Sequence, residues 1–302
     1  MIDYDLIIIG SGPAGMNACL YATRSNLSTL VIEKNYPGGK IVKTDKIENY
    51  LGTESISGPD LALSMFKHSY SYGGVYEQGN VLDIIDYGVY KEVVLEDKKY
   101  KCYSVILALG TSERKIGIPG EEKFYGKGVS YCAVCDGPLY KDKEMVVVGS
   151  SSHALEESIY LSQFASKVYV IAKQESVKDE QVLTNKKIEV LCNSEVTSIN
   201  GNECVESVNI KKDNEIIKVQ TSIVFPLLGS SPDSLIAKRL NIVDDKNYIV
   251  VNRKQETTIP GIYAAGDCTN GVLKQIVSAS ADGAIAAMEA YKYIRKQKTY
   301  GN

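Results

Sequence analysis

Asp5-Leu6-Ile7-Ile8-Ile9-Gly10-Ser11-Gly12-Pro13-Ala14-Gly15 joins an unbroken apolar run to three spaced glycines. Apolar residues without alternation suit a parallel strand buried on both faces. The glycines that follow permit a tight turn, close approach of a pyrophosphate to a helix N-terminus, and close helix–strand packing. An Ala-rich helical segment comes next, then a second strand, Thr29-Leu30-Val31-Ile32-Glu33. Glu33 ends that strand, where an acid can take the ribose hydroxyls of an adenosine. The glycine spacing alone is weak evidence. Strand, glycines, helix, strand and acid together specify an adenine-dinucleotide site in a doubly wound α/β fold.

At 302 residues the chain can hold two domains of ordinary size, each with its own core. Its 44% apolar and 24% charged content is that of an ordinary globular protein. A net charge of −3 gives no global attraction to nucleic acid or anionic membrane, so neither is an expected partner. Met1-Ile2-Asp3-Tyr4-Asp5 runs straight into the first strand, without a basic start or cleavage site. No apolar run is long enough to span a bilayer, and the expectation is a cytoplasmic protein with no signal peptide. Seven cysteines, an odd number, fit a reducing compartment better than a disulfide framework.

The second focus is Tyr131-Cys132-Ala133-Val134-Cys135-Asp136-Gly137-Pro138. Two cysteines so spaced can close a small disulfide ring, supply half a metal site, or simply be buried. A helix N-terminus stabilises a thiolate, the form that attacks disulfides. Asp136 adds a carboxylate within reach as a proton carrier. Zinc needs about two further ligands at matching spacing. Cys19, Cys102, Cys192, Cys204 and Cys268, with His68 and His153, form no second such pair. Cys132, Cys135 and Asp136 therefore read as a redox-active, metal-free catalytic group.

FAD and NAD are distinguished further along, by Thr258-Ile-Pro-Gly-Ile-Tyr-Ala-Ala-Gly-Asp267. Gly266 lets backbone approach a ligand, and Asp267 can accept bonds from a sugar-alcohol chain. FAD has a ribityl chain and NAD does not, so FAD is the expected cofactor. The element is similar to the second FAD motif of the flavoprotein reductases built on two dinucleotide folds. With all three motifs present, the whole chain resembles the low-molecular-weight thioredoxin reductases. Pro37-Gly38-Gly39, Glu48-Asn49-Tyr50, Gly58-Pro59, Ala108-Leu109-Gly110 and Lys274-Gln275 match that family's flavin-domain landmarks.

The resemblance implies FAD contacts from Gly10, Ser11, Gly12, Pro13, Ala14, Gly15, Glu33, Gly39, Lys40, Asn49 and Val81. Ala108, Gly110, Gly266, Asp267, Lys274, Gln275 and Ile276 complete the implied set. Lys40 departs from the Gln usual after the Gly-Gly pair. The resemblance also implies a homodimer of two Rossmann-like domains, one inserted in the other. Residues 1–112 and 245–302 would form the FAD domain, and 115–243 the insert carrying the Cys pair. Gly110 to Gly120 and Asp244 to Asn247 suit the connections. Cys135 would face the flavin, and Cys132 would attack the disulfide of a thioredoxin.

The insert is where the chain departs most from that family. Glu144-Met-Val-Val-Val-Gly149 again feeds a turn and a helix, but the turn reads Gly149-Ser150-Ser151-Ser152-His153-Ala154. Ser151 places a Cβ where a pyrophosphate would approach backbone. The next strand ends in Ala172-Lys173-Gln174, without the His-Arg-Arg-type cluster that NADPH-using relatives match to a 2′-phosphate. An acid for an NAD ribose is missing too. The expected electron donor is therefore reduced ferredoxin, by similarity to the ferredoxin-dependent flavin thioredoxin reductases of anaerobes such as clostridia.

Three alternatives stand beside this reading: an NADPH-dependent reductase with a degenerate site, a dithiol oxidase using oxygen, and a flavin-bound redox sensor without turnover. Oxidases of this fold tend to carry His where Asp136 stands. An acidic ferredoxin would meet a basic patch, and Tyr291 to Asn302 carries Lys292, Arg295, Lys296 and Lys298 without an acid. A solvated helix end explains that run equally well. Tyr300 is a candidate cover for a flavin face. The remaining features take ordinary readings: Cys19 and Cys102 in the core, Cys192 and Cys204 packed, Cys268 near FAD, and His68 exposed on a helix from about Gly58 to Tyr72.

Overall fold

The computed structural model describes residues 1–213 and 215–300. Among them the chain divides into two compact units, Met1–Ser112 with Ser231–Asn302, and Glu113–Ser230.

The first unit is built on a sheet in the order Val75–Gln78, Thr29–Glu33, Tyr4–Ile9, Lys99–Leu107, Lys91–Val94, Asp83–Asp86. Ile262–Ala264 also pairs with Lys99–Leu107. The strands flanking Tyr4–Ile9 are parallel to it, and Val75–Gln78 is parallel to Thr29–Glu33. Lys91–Val94 runs antiparallel to Lys99–Leu107, and Asp83–Asp86 antiparallel to Lys91–Val94. Leu6, Ile7 and Ile8 are wholly buried, as a parallel strand covered on both faces requires. Each such side chain contributes about 1.5–3 kcal/mol of transfer free energy.

Helix Pro13–Arg24 starts at Gly12, with Pro at its first position, and buries Ala14, Ala18 and Ala22. These alanines let the long helix Ile276–Tyr300 approach closely. A Cβ on Gly283 would fall 2.1 Å from the carbonyl oxygen of Ala14. Sheet and helices thus hold the Gly10–Gly15 loop from below and from one side.

The second unit repeats the parallel theme in the order Ile188–Leu191, Lys167–Ile171, Glu144–Val148, Ile223–Pro226. Helix Ser152–Ser162 follows Glu144–Val148. A separate antiparallel sheet comprises Ser194–Gly201, Val205–Lys212 and Glu215–Gln220. The architecture is α/β with two Rossmann-like sheets.

The return crossing lies at Ser230/Ser231, earlier than the Asp244 to Asn247 stretch expected for it. Ile236, Ala237 and Ile242 are buried in the core beneath the first sheet, so the segment bearing them belongs to the first unit. Asp244 to Asn247 is a turn within that unit, where Asp244 Oδ1 accepts the N–H groups of Lys246 and Tyr248 at 2.9 and 2.8 Å.

Cys19, Cys102 and Cys268 are buried and Cys192 half-buried, but Cys204 is exposed at a hairpin turn rather than packed. His68 is exposed near the end of helix Gly58–Tyr70. Among the described residues no helix is long and apolar enough to cross a membrane.

Candidate redox site

In the first unit, the glycines of the fingerprint differ in what constrains them. Gly10 has φ +104°, and a Cβ there would lie 2.2 Å from the Ala108 carbonyl oxygen. A Cβ on Gly15 would lie 1.9 Å from the Gly10 carbonyl oxygen. Both are required by the fold itself. Gly12 is different: its φ is −80° and a Cβ would meet nothing within 4 Å. Nothing in the packing demands glycine there, whereas a phosphate lying against the helix N-terminus does.

Glu33 is buried and accepts the Ser11 N–H at 2.8 Å on one oxygen and the Asn35 N–H at 2.8 Å on the other. Each oxygen keeps a second lone pair for a ribose hydroxyl. Ser11 shares a further hydrogen bond with the Tyr70 hydroxyl at 3.3 Å. Burial pushes the Tyr70 phenol well above its ordinary value.

The rest of the cradle comes from distant segments. Pro13 opens the helix, and Ala14 would touch a Cβ on Gly266, whose φ is +80°. Ala108 N–H donates to the Ile9 carbonyl at 2.8 Å, and Gly110, at φ +66°, has open space at its Cβ position. Gly39 packs against Gly12: a Cβ added to Gly39 would lie 3.4 Å from Gly12 Cα. Lys40 Nζ donates to Thr111 Oγ1 at 2.8 Å and pairs with Asp267 at 3.1 Å.

Asn49 is exposed and donates to Gln275 Oε1 at 3.1 Å, and Ile276 begins the long helix. Val81 is a core residue beneath the sheet. Lys274 donates to the Thr269 carbonyl, and burial lowers its pKa. Asp282 carried no motif, yet it accepts the Gly266 N–H at 3.3 Å and the Gln255 amide at 2.9 Å, bracing the turn before Asp267. Burial raises the Asp282 carboxyl. These donors, openings and acids fit a dinucleotide with a polyol chain.

In the second unit, Cys132 and Cys135 form a disulfide with a Cα–Cα distance of 5.3 Å. Cys132 caps the short helix Ala133–Asp136, and its Sγ accepts the Cys135 N–H at 3.2 Å. Ser130 Oγ accepts the Cys132 N–H at 3.1 Å. Ala133 is buried in the core beside Met145 and Leu161, which pins the helix to the parallel sheet. Gly137 lets the chain pass close to Leu161, whose Cδ2 would lie 2.6 Å from a Cβ added there. Asp136 directly follows the pair and is half-buried.

The second glycine-poor loop is closed by its own side chains. Ser151 Oγ accepts the Ala154 N–H at 3.3 Å, capping helix Ser152–Ser162. Ser150 bonds the Gln174 side chain, and Lys173 pairs with Glu195 at 3.1 Å. At the C-terminus, Lys298 pairs with Asp5 at 2.6 Å and Arg295 lies over the Tyr291 ring. The basic run is thus partly tied down. The Tyr300 side chain lies outside the described residues.

A family profile described as pyridine nucleotide-disulphide oxidoreductase matches residues 4–283. The thioredoxin reductase of Bacillus subtilis is 42% identical over 97% of this chain and 95% of its own length. The crystal structure of thioredoxin reductase from Streptococcus pyogenes, 40% identical, superposes with a TM-score of 0.95 over 97% of this chain and 98% of that one. A ferredoxin-flavin thioredoxin reductase from Clostridium acetobutylicum is 33% identical, with a TM-score of 0.56 over 98% and 99% of the two chains. The chain belongs to the pyridine nucleotide-disulphide oxidoreductases, and within them to the FAD-dependent, low-molecular-weight thioredoxin reductases.

Proposed function

We propose that the chain reduces a thioredoxin through Cys132 and Cys135 with electrons from reduced ferredoxin rather than NADPH. FAD is held by the Gly10–Gly15 loop, Glu33, Gly39, Lys40, Ala108, Gly110, Gly266 and Asp267, with Asn49, Val81, Lys274, Gln275 and Ile276 around them. Bound FAD supplies a two-electron redox centre that side chains cannot provide. Two electrons and two protons open the Cys132–Cys135 disulfide to a dithiol. The Cys132 thiolate attacks one sulfur of the thioredoxin disulfide, that S–S bond breaks, and the leaving thiolate takes a proton. Cys135 then attacks the Cys132 sulfur, releasing dithiol thioredoxin and re-forming the Cys132–Cys135 bond. Asp136 carries protons to and from these sulfurs, since no histidine adjoins the pair in sequence. The Cys135 N–H aimed at Cys132 Sγ supports Cys132 as the attacking thiolate. A homodimer belongs to the same proposal.

One observation carries the choice of donor: Ser151 caps Ala154 with its own hydroxyl while Glu195 holds Lys173. The loop's helix N-terminus and the strand-end cation, the two places where a nicotinamide dinucleotide's phosphates would be met, are both engaged internally. The pyridine-nucleotide family profile favours a second reading, an NADPH reductase with an altered site. The two separate under anaerobic conditions, by following flavin absorbance with NADPH, NADH and reduced ferredoxin in turn. Bleaching by ferredoxin alone is expected. Rapid stoichiometric bleaching by NADPH establishes the second reading instead.

A further inference from the structure

Lys40 sits in the turn Gly39–Lys43, which packs on the fingerprint loop through Gly39 and Gly12. Its ammonium donates to Thr111 Oγ1 at 2.8 Å and pairs with Asp267 Oδ2 at 3.1 Å. Three segments far apart in sequence therefore converge on one cation beside the Gly12 opening. The Asp267 side chain is only 17% exposed. A carboxylate so placed opposes any added negative charge on a neighbouring ligand, and a cation paired to it offsets that opposition. FAD already carries a pyrophosphate and gains further electron density on reduction. Charge near the flavin is one of the means by which a protein sets its electronics.

We propose that Lys40 is a redox-tuning cation, whose charge raises the reduction potential of the bound flavin and makes it the readier acceptor from an electron-donating partner. The proposal rests on the reading that FAD occupies this cradle. The sign does not depend on which end of the Lys40–Asp267 pair lies closer to the ring. Removing Lys40 takes one positive charge from the site and leaves Asp267 uncompensated by it. A neutral side chain of similar reach separates charge from mere bracing. Gln can donate to Asp267 and Thr111 much as Lys does, so a purely structural tie survives Lys40→Gln while the charge does not.

The experiment is an anaerobic dye-equilibrium titration of the FAD couple. It is made in a Cys132→Ser/Cys135→Ser background, so that the dithiol takes no electrons. With FAD in excess, Lys40→Gln is expected to lower the flavin midpoint by about 30 mV, a tenfold change in the two-electron equilibrium constant. Lys40→Arg should stay near the unsubstituted value, and Asp267→Asn should shift the midpoint upwards. An unchanged or raised midpoint in Lys40→Gln overturns the proposal, as does a lowered one in Asp267→Asn. Gly12→Val tells the two possible failures apart. Retention of FAD in that variant overturns the cradle and the proposal with it. Loss of FAD there, combined with an unshifted Lys40→Gln midpoint, overturns the tuning role alone.

Discussion

The Glu121 carboxylate accepts the hydroxyl hydrogen of Tyr131 at 2.8 Å, one residue ahead of Cys132. The same carboxylate takes the N–H groups of Ile116 and Gly117 at 2.8 and 2.7 Å, and the residue is 2% exposed. One buried group thus ties the chain entering the second unit to the segment that presents the redox pair. Glu121→Ala strands three donors, each costing about 1–3 kcal/mol when left unsatisfied. The expected loss is about 3 kcal/mol or more, read from the urea midpoint of the FAD-loaded protein. A loss below about 1 kcal/mol would show that water replaces the carboxylate at little cost.

Tyr131 also makes stability depend on alkaline pH. Burial first, and then the bond to Glu121, hold its phenol well above the ordinary tyrosine range. The folded chain keeps a proton that the unfolded chain releases near pH 10. The contribution is whole below about pH 10 and drains away as pH rises toward the folded value. Tyr131→Phe should flatten this alkaline slope in denaturation midpoints taken between about pH 9 and 11. Tyr70 and Tyr263, both raised by burial, retain part of it. An undiminished slope in the Phe variant removes Tyr131 from the account.

Gly12 and Gly15 should respond in opposite ways to a side chain. Gly12→Val meets open space at an ordinary φ, so the protein should fold and purify without FAD. Gly15→Val drives a Cβ onto the Gly10 carbonyl oxygen and should fail at folding. Flavin absorbance per chain and circular dichroism separate the two defects. A yellow Gly12→Val protein contradicts the assignment of the pyrophosphate to this loop.

The contrast between those glycines marks how much the sequence could reveal. The fingerprint is legible because its constraints are local: a turn, a helix start and a strand end within one stretch. The Cys pair is legible for the same reason. Lys40 meeting Asp267 and Thr111 is not, since nothing local shows which segments the sheet brings together. Nor does the sequence distinguish the adjacent Glu121 and Glu122, of which the first is buried and the second exposed. The return crossing lies ahead of Asp244 because Ile236, Ala237 and Ile242 choose a core by tertiary packing, which a turn signal at Asp244 does not report. Asp282 belongs to no motif, and only the fold turns it toward Gly266.

Cys132→Ser and Cys135→Ser should each abolish reduction of a thioredoxin disulfide while FAD stays bound. Cys132→Ser leaves Cys135 as the free thiol of the pair, and a long-wavelength charge-transfer band is expected in that variant. A band in Cys135→Ser instead reverses the two roles. Asp136→Asn should slow turnover by roughly 10²-fold if it moves the proton. A change within about twofold leaves it a structural part of the short helix.

The donor can be challenged by gain of function. Ser151→Gly removes the hydroxyl that occupies Ala154 N–H, and Gly at a helix N-cap costs only a few tenths of a kcal/mol. Glu195→Ala releases Lys173 from its ion pair, an exposed interaction worth about 1 kcal/mol at most. Neither change should unfold the second unit, and neither touches the Cys pair. Together they return a phosphate-accessible helix N-terminus and an unpaired cation to the strand end. If internal engagement of those groups is what excludes NADPH, the double variant should show flavin bleaching by millimolar NADPH that the unsubstituted chain lacks. It should also keep its rate with reduced ferredoxin. Equal NADPH bleaching in both proteins places the barrier elsewhere, if the common rate is negligible. If the common rate is fast, ferredoxin is not the required donor.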